Sequence, residues 1–432
     1  MTVSHANNDG QMVSYARWNR HTELILKRFA VNSLSLTLAR GLAFGSRALA
    51  LLVLARIATA QEVANAAIAV TVAETARLIG DLGVEVWLVR TVGQARNAEE
   101  ALPAIQSAFA VRLGVAVVAS VFAWLACIAW HIPASLTGAS VLLTVTGMVI
   151  GVPVAVLQAR LQLDRLLFSL IPLLAAGLVA VVSLVPLYAS PGSMALWILS
   201  GFEVAAVYAA MMQSGLARFW KFRFSCEQIR KLLRSCFSVA IYNAIVGAYS
   251  RLDVWLLASL SATSLATYTV GFRLYQPFGL VMAAIGGVSF ASFARAMSDA
   301  KSDAAVMSRR FLLAVSSLSI VLGGVLILGG TCIVELFFSN YQGAKRVLYP
   351  LAAMVPIMGV SGVLVAVLTA EGRFGSLCKA AAFNLLVFAV ALSKLIPAYG
   401  ASGASMGLLF GESCNLVVLI WLVRPWRALR IS

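Results

Sequence analysis

Inside long apolar stretches of this 432-residue chain stand a few charged side chains: Arg40, Arg47, Arg77, Arg112, Arg251, Arg273 and Lys394 on the basic side, Glu74, Glu203, Asp253 and Glu412 on the acidic side. Placing Arg, Lys or Asp at the centre of a membrane helix costs about 2.5–3.5 kcal/mol on insertion scales, so each such group needs a compensating role. An internal excess of guanidinium suits an anionic ligand, because the planar fork binds phosphate oxygens in pairs. Ser33, Thr37, Arg40, Phe44 and Arg47 recur at helical spacing and share one face. The two arginines on it stand about 10 Å apart along the axis, close enough to hand a diphosphate towards mid-bilayer. The competing reading has Arg40 and Arg47 snorkelling or paired with acids, Glu74 being the nearest candidate for Arg47.

The other charges read as follows. Glu74 and Arg77 stand three apart, Arg77 and Asp81 four apart, so local ion pairs are available along one helix. Asp81-Leu82-Gly83 is expected to end or bend that helix. Arg251 and Arg273 reach similar depth on either side of the Ser261–Ser264 turn, where they either meet a ligand or form a structural triad with Asp253. Arg112, in the third apolar stretch, joins the candidate ligand-binding set. Lys394, close to Pro397, is expected to snorkel to the interface. Glu203 and Glu412 fall mid-stretch in GFEVAAVY and FGESCNLV. With Glu74 and Asp253 they are the candidates for ion coupling, since an intramembrane carboxylate can relay a proton; the alternative is hydrogen bonding that fastens helices together. The six cysteines show no CxxC spacing and the chain has three histidines, so no metal site, disulfide framework or cofactor is expected.

The elements that carry these residues follow from composition. The chain is 61% hydrophobic and 12% charged, against about 25% charged for soluble domains, and its mean hydropathy is +0.91. A bilayer core of about 30 Å needs roughly 20 apolar residues per helical span. Twelve stretches meet that need: 31–55, 61–84, 104–130, 139–159, 166–188, 193–213, 235–260, 265–294, 311–338, 347–370, 376–397 and 401–423. The fold class is therefore all-α integral membrane. The first 28 residues hold no run like the core of a signal peptide and are expected to remain as a cytoplasmic tail. With the amino terminus inside, inner segments hold 23 Lys and Arg and outer segments hold Arg56, Lys345 and Arg346. That asymmetry places both termini in the cytoplasm.

The longest polar interruption between spans, SGLARFWKFRFSCEQIRKLLR, divides the chain into a tail (1–30), a first lobe (31–213), a basic linker (214–234), a second lobe (235–423) and a carboxyl-terminal tail (424–432). Its aromatics interleave with basic residues, as suits a segment lying on an anionic leaflet. The pI near 10.1 is accounted for by this topology, and no basic stripe on a soluble domain points to nucleic acid. The outer loops HIPASLTG, YASPGS, SLSATS and AYGASG are too short to hold the catalytic inventory of a membrane polymerase or glycosyltransferase. An ion-coupled multidrug antiporter is the second alternative; its cavity would favour aromatics and acids over arginine. WLLASLSATSLATYTVGF in the seventh span echoes LLVLARIATAQEVANAAIAV in the first, as in carriers built from repeats.

The segment LARIATAQEVANAAIAVTVAETARLIGDLGVEVWLVRTVGQ resembles the start of Wzx-type polysaccharide flippases of the MOP exporter superfamily: an Ala-Arg step, a turn, a second span, an Asp-Leu-Gly break and a Val-Arg end. RLDVWLLASLSATSLATYTVGFRLYQP resembles that family's seventh and eighth spans. NYQGAKRVLYPLAAMVPIMGVSGVLVAVLTAEGRF and LIPAYGASGASMGLLFGES resemble its tenth to twelfth. The outer turn Ala-Thr-Ala-Gln departs from the Leu-Gly turn of many relatives. The resemblance implies two six-helix bundles around a central cavity, as in multidrug and lipid II exporters, in a bacterial inner membrane. It further implies a polyprenyl-diphosphate-linked oligosaccharide as cargo, alternating access, no catalysis, and other polysaccharide-assembly membrane proteins as partners.

Overall fold

The computed structural model describes residues 45–95, 98–160, 162–188, 190–216, 226–299 and 301–423. Arg40, both tails and residues 217–225 of the basic linker lie outside the described residues. All regular structure within them is helical: α1 is described over 45–57, followed by α2 (Ala60–Gly80), α3 (Val84–Gln94), α4 (Ala98–Ala129), α5 (Ala134–Val149), α6 (Gly151–Ala159), α7 (Leu163–Leu184), α8 (Pro191–Ser214), α9 (Cys226–Tyr249), α10 (Leu252–Leu260), α11 (Ala262–Asp299), α12 (Lys301–Phe337), α13 (Ala344–Ala370) and α14 (Phe374–Val423). Among the described residues eight helices are long and apolar enough to cross a membrane, nine if the bent pair Glu227–Phe237 and Val239–Leu260 forms one span.

Local chemistry explains where the helices break. Thr59 and Glu62 form a reciprocal capping box that starts α2, with Thr59 N–H donating to Glu62 Oε2 at 3.1 Å and Glu62 N–H donating to Thr59 Oγ1 at 3.3 Å. The expected Asp-Leu-Gly break follows α2: Gly83 takes φ 71°, a conformation that glycine enters without the Cβ clash other residues meet. α5 gives way to α6 at Ile150, three residues before Pro153, whose ring lacks a donor and crowds the preceding turn. The span expected over 235–260 is broken at Ser250 and Arg251, with Arg251 taking the non-helical position before α10.

α14 is fifty residues long, about 75 Å at helical rise, more than twice a bilayer core. It reverses at Gly400 (φ 57°, ψ −128°), which falls in the gap between the two spans expected there. The returning arm carries Gly403, Gly407 and Gly411, spaced four apart on one face. A Cβ on them would collide with the Leu395 carbonyl, the Leu392 side chain and the Phe388 ring respectively. This ladder of small residues lets the two arms approach closely.

α2 is the most enclosed of these spans: 78% of its membrane-length window is buried, against 28% for α4 and 22% for α12. It lies at the seam between the two halves of the chain, packed on α5 and α4 of its own half and on α9 and α11 of the other. The largest apolar core joins Leu54, Val63, Val70, Leu136 and Leu199 to Val254, Leu257, Leu265 and Val347, so it too spans the seam. It concentrates at the end of the bundle that holds the short loops. There Trp130 and Trp255 pack at 5.9 Å and Arg56 lies 5.7 Å over the Phe337 ring. The opposite end carries the Gly83 break and the interhelical linker.

Candidate functional site

Three of the candidate arginines meet on one carboxylate at the seam. Glu74 lies about 21 Å along α2 from its start, fully enclosed. Arg251 donates from Nη2 to Glu74 Oε2 at 2.6 Å, Arg273 Nη1 stands 3.6 Å from Glu74 Oε1, and Arg47 Nη1 stands 4.0 Å from the same oxygen. Arg47 comes from the first half of the chain, Arg251 and Arg273 from the second. The break before α10 is what brings Arg251 into this position, and its guanidinium also lies 5.3 Å over the Phe272 ring. Arg273 is further held by Gln276 Oε1, which accepts from its Nη1 at 2.7 Å.

Arg47 takes its main partner from another span. Its Nε donates to Glu203 Oε1 at 2.6 Å, and Thr146 Oγ1 donates to Glu203 Oε2 at 3.1 Å. Glu74, the acid expected nearest Arg47, is the more distant of the two. The triad of Arg251, Asp253 and Arg273 does not form as drawn from the sequence. Both arginines turn to Glu74, and Asp253, buried at the start of α10, accepts the Tyr268 hydroxyl instead. Tyr268 reaches it because the Ser261 turn folds α11 back along α10.

Arg112 is 1% exposed and pairs with Asp81 and, at 3.5 Å, with Glu85. Asn243 of α9 donates to the other Asp81 oxygen at 2.9 Å, tying the halves together near the break. Two glycines make room for this cluster. A Cβ on Gly151 would stand 2.6 Å from Glu85 Oε1, and one on Gly147 would stand 2.8 Å from Arg77 Cδ. Glu85 and Asn243 were not among the sequence candidates. The readable signals were an Asn inside an apolar run and an acid just past a glycine break, where the restarted helix turns it back under Arg112. With Asp81 and Glu85 engaged, the five described arginines of the region, Arg47, Arg77, Arg112, Arg251 and Arg273, stand among six described carboxylates, Glu74, Asp81, Glu85, Glu203, Asp253 and Glu412. The internal basic excess expected from the sequence is thus not present among the described residues.

Two cavities flank the seam. The first, about 420 Å³, is walled by Arg47, Arg77, Arg112, Asp81, Glu85, Glu203 and Asn243, with Leu166, Leu170 and Leu174 of α7 on its apolar side. These residues place it in the half of the bundle nearer the linker. The second, about 260 Å³, lies in the second half of the chain, between Arg251, Tyr249, Phe272, Tyr275, Gln276, Phe388 and Glu412. Leu78 and Leu280 border both cavities. Glu412 accepts a long bond of 3.4 Å from Asn415, and no basic side chain pairs with it among the described residues. Glu203 and Glu412, equivalent by their place in the chain, thus sit in unlike surroundings. Lys394 is exposed on the outside of α14. The described residues contain no group of three or more His, Cys, Asp or Glu side chains arranged to hold a metal.

Residues 53–341 match the sequence profile of a family described as polysaccharide biosynthesis protein. No curated protein sequence matches the chain. Solved structures share its fold at low identity. A multidrug resistance MATE family transporter of the MOP superfamily, in an inward-facing conformation, is 14% identical over 93% of this chain and 99% of that one, with a TM-score of 0.64. The lipid II flippase MurJ, in an inward closed conformation, is 13% identical over 91% and 87%, with a TM-score of 0.65. A MOP superfamily transporter from Pyrococcus furiosus is 11% identical over 94% and 96%, with a TM-score of 0.67.

Proposed function

This chain belongs to the polysaccharide biosynthesis protein family, and from that premise we propose that it is a flippase. It carries a polyprenyl-diphosphate-linked oligosaccharide from the cytoplasmic to the outer leaflet of a bacterial inner membrane. The observation that carries this reading is the meeting of Arg47, Arg251 and Arg273, from both halves of the chain, on Glu74 beside a cavity. A diphosphate offers the same kind of anionic oxygens as that carboxylate and could engage the same forks. In this reading twelve spans form two six-helix bundles with both termini in the cytoplasm. The cavity nearer the linker is then entered from the cytoplasm, and the short-loop end is the closed gate. Cargo bound between the bundles draws arginines of both onto one anion, and opening of the Trp130–Trp255 end exposes the sugar outside. The wall of Leu166, Leu170 and Leu174 suits the first isoprene units.

Arg47→Ala is expected to lower polysaccharide export roughly tenfold or more, the scale of a lost charge-assisted hydrogen bond, while the protein still accumulates in the membrane. Arg47→Lys, which keeps charge but loses the fork, should be intermediate. A purely structural Arg47 predicts a different pattern: low folded protein in Arg47→Ala and partial recovery in Arg47→Ala with Glu203→Gln, because an unpaired buried charge is worse than none. Normal export by well-folded Arg47→Ala would sink the cargo role. One observation favours a second reading, an ion-coupled multidrug antiporter: the aromatic cavity around Glu412. Efflux of lipophilic cations by cells carrying the protein, with unchanged surface polysaccharide on its deletion, would support that reading.

A further inference from the structure

We infer that the cavity in the second half of the chain is a carbohydrate subsite, which takes a sugar ring of the molecule whose diphosphate lies at the arginines. It rests on the flippase reading and assigns the two ends of the cargo to two places. A pyranose has apolar C–H faces and a rim of hydroxyl groups, so its site needs flat apolar surfaces and a few polar groups at the edge. Both are present. Tyr249 and Phe388 stack at 5.2 Å with 28° between planes, and Phe272 and Tyr275 meet at 5.7 Å and 52°. These pairs fix four rings as walls of one chamber.

The polar groups there retain bonding capacity. Ionised, Glu412 has sites for about four hydrogen bonds and accepts only the long one from Asn415 among the described residues. Gln276 spends its carbonyl oxygen on Arg273, and among the described residues its amide hydrogens remain for a hydroxyl. The chamber's volume of about 260 Å³ suits a single ring and not a whole oligosaccharide. Its shared border with the basic cavity at Leu78 and Leu280 lets one ligand enter both. An organic cation fits less well, because the Arg251 guanidinium already lies over Phe272 in the same wall and would repel it. A lipid chain would leave Glu412 and Gln276 without partners.

The test titrates purified carrier in lipid nanodiscs with farnesyl diphosphate and with farnesyl diphosphates bearing glucose, galactose or N-acetylglucosamine. At least one glycosylated probe should bind about tenfold tighter than the bare lipid. That difference should vanish in Glu412→Gln, and in Phe388→Leu as a second variant that leaves the carboxylate in place. If the bare lipid binds and no sugar adds affinity, the inference is overturned and the flippase reading stands. If no diphosphate binds a monodisperse wild-type carrier, both fall. Binding of tetraphenylphosphonium that Glu412→Gln abolishes would reassign the chamber to cations and equally overturn the inference.

Discussion

Glu74 sits where three guanidinium groups from two halves of the chain compete for two oxygens. Burying such a group is tolerable only while the pairing lasts, since breaking a buried pair costs about 3–5 kcal/mol. A diphosphate arriving at these arginines must therefore displace Glu74 or Glu203 from them. Glu74→Gln and Glu203→Gln are each expected to bind farnesyl diphosphate about tenfold tighter than the wild type and to turn over more slowly, since the carboxylate that would evict the product is gone. Titration and export rate together check this, and weaker binding in both variants would mean that the carboxylates orient the arginines for cargo. At this scale the sequence showed which side chains needed partners but not which partners they have. Arg47 reaches Glu203 across 156 positions of chain, and no local spacing rule connects such a pair. Glu85 stayed hidden because it follows the second apolar stretch, on the separate helix α3 that restarts after the Gly83 break.

The elements were more legible than the contacts, because an apolar run bounded by Gly, Pro and charge states its own length. The ends expected for α2 and α8 lie within a few residues of those observed, and the span expected over 139–159 ends where α6 ends. The breaks at Ile150 and Arg251 were not foreseen, since a half-turn irregularity leaves hydropathy unchanged. Nor was the glycine ladder of α14, although Gly403, Gly407 and Gly411 print it at four-residue spacing. Its energetic claim is direct. Gly403→Ala sets a methyl against the Leu395 backbone carbonyl, which cannot rotate away, whereas Gly324 of α12 has nothing within 4 Å of a Cβ. Gly403→Ala should therefore destabilise by about 1–3 kcal/mol and Gly324→Ala should not. Thermal melting of the detergent-solubilised protein separates them, and equal midpoints would show that the two arms of α14 are not tightly apposed.

For the molecule as a whole, membrane residence followed from composition, but the way the halves face each other did not. Relative placement is carried by contacts such as Asn243 to Asp81 and Trp130 to Trp255, which join residues far apart in the chain and leave no periodic trace. The near balance of five arginines against six carboxylates has a consequence in electrical terms. A protein core of little net charge moves little charge through the bilayer field when the empty carrier rearranges. On the proposed function, the loaded carrier differs by roughly two negative charges of diphosphate, each worth about 2.3 kcal/mol per 100 mV if it crosses the whole field. In proteoliposomes with a potassium diffusion potential, outward movement of a lipid-linked sugar should accelerate when the cytoplasm-facing side is negative and slow when it is positive. A rate indifferent to the clamp would require positive charge of the protein to travel with the cargo. Under the predicted response, the resting voltage of the membrane itself drives export.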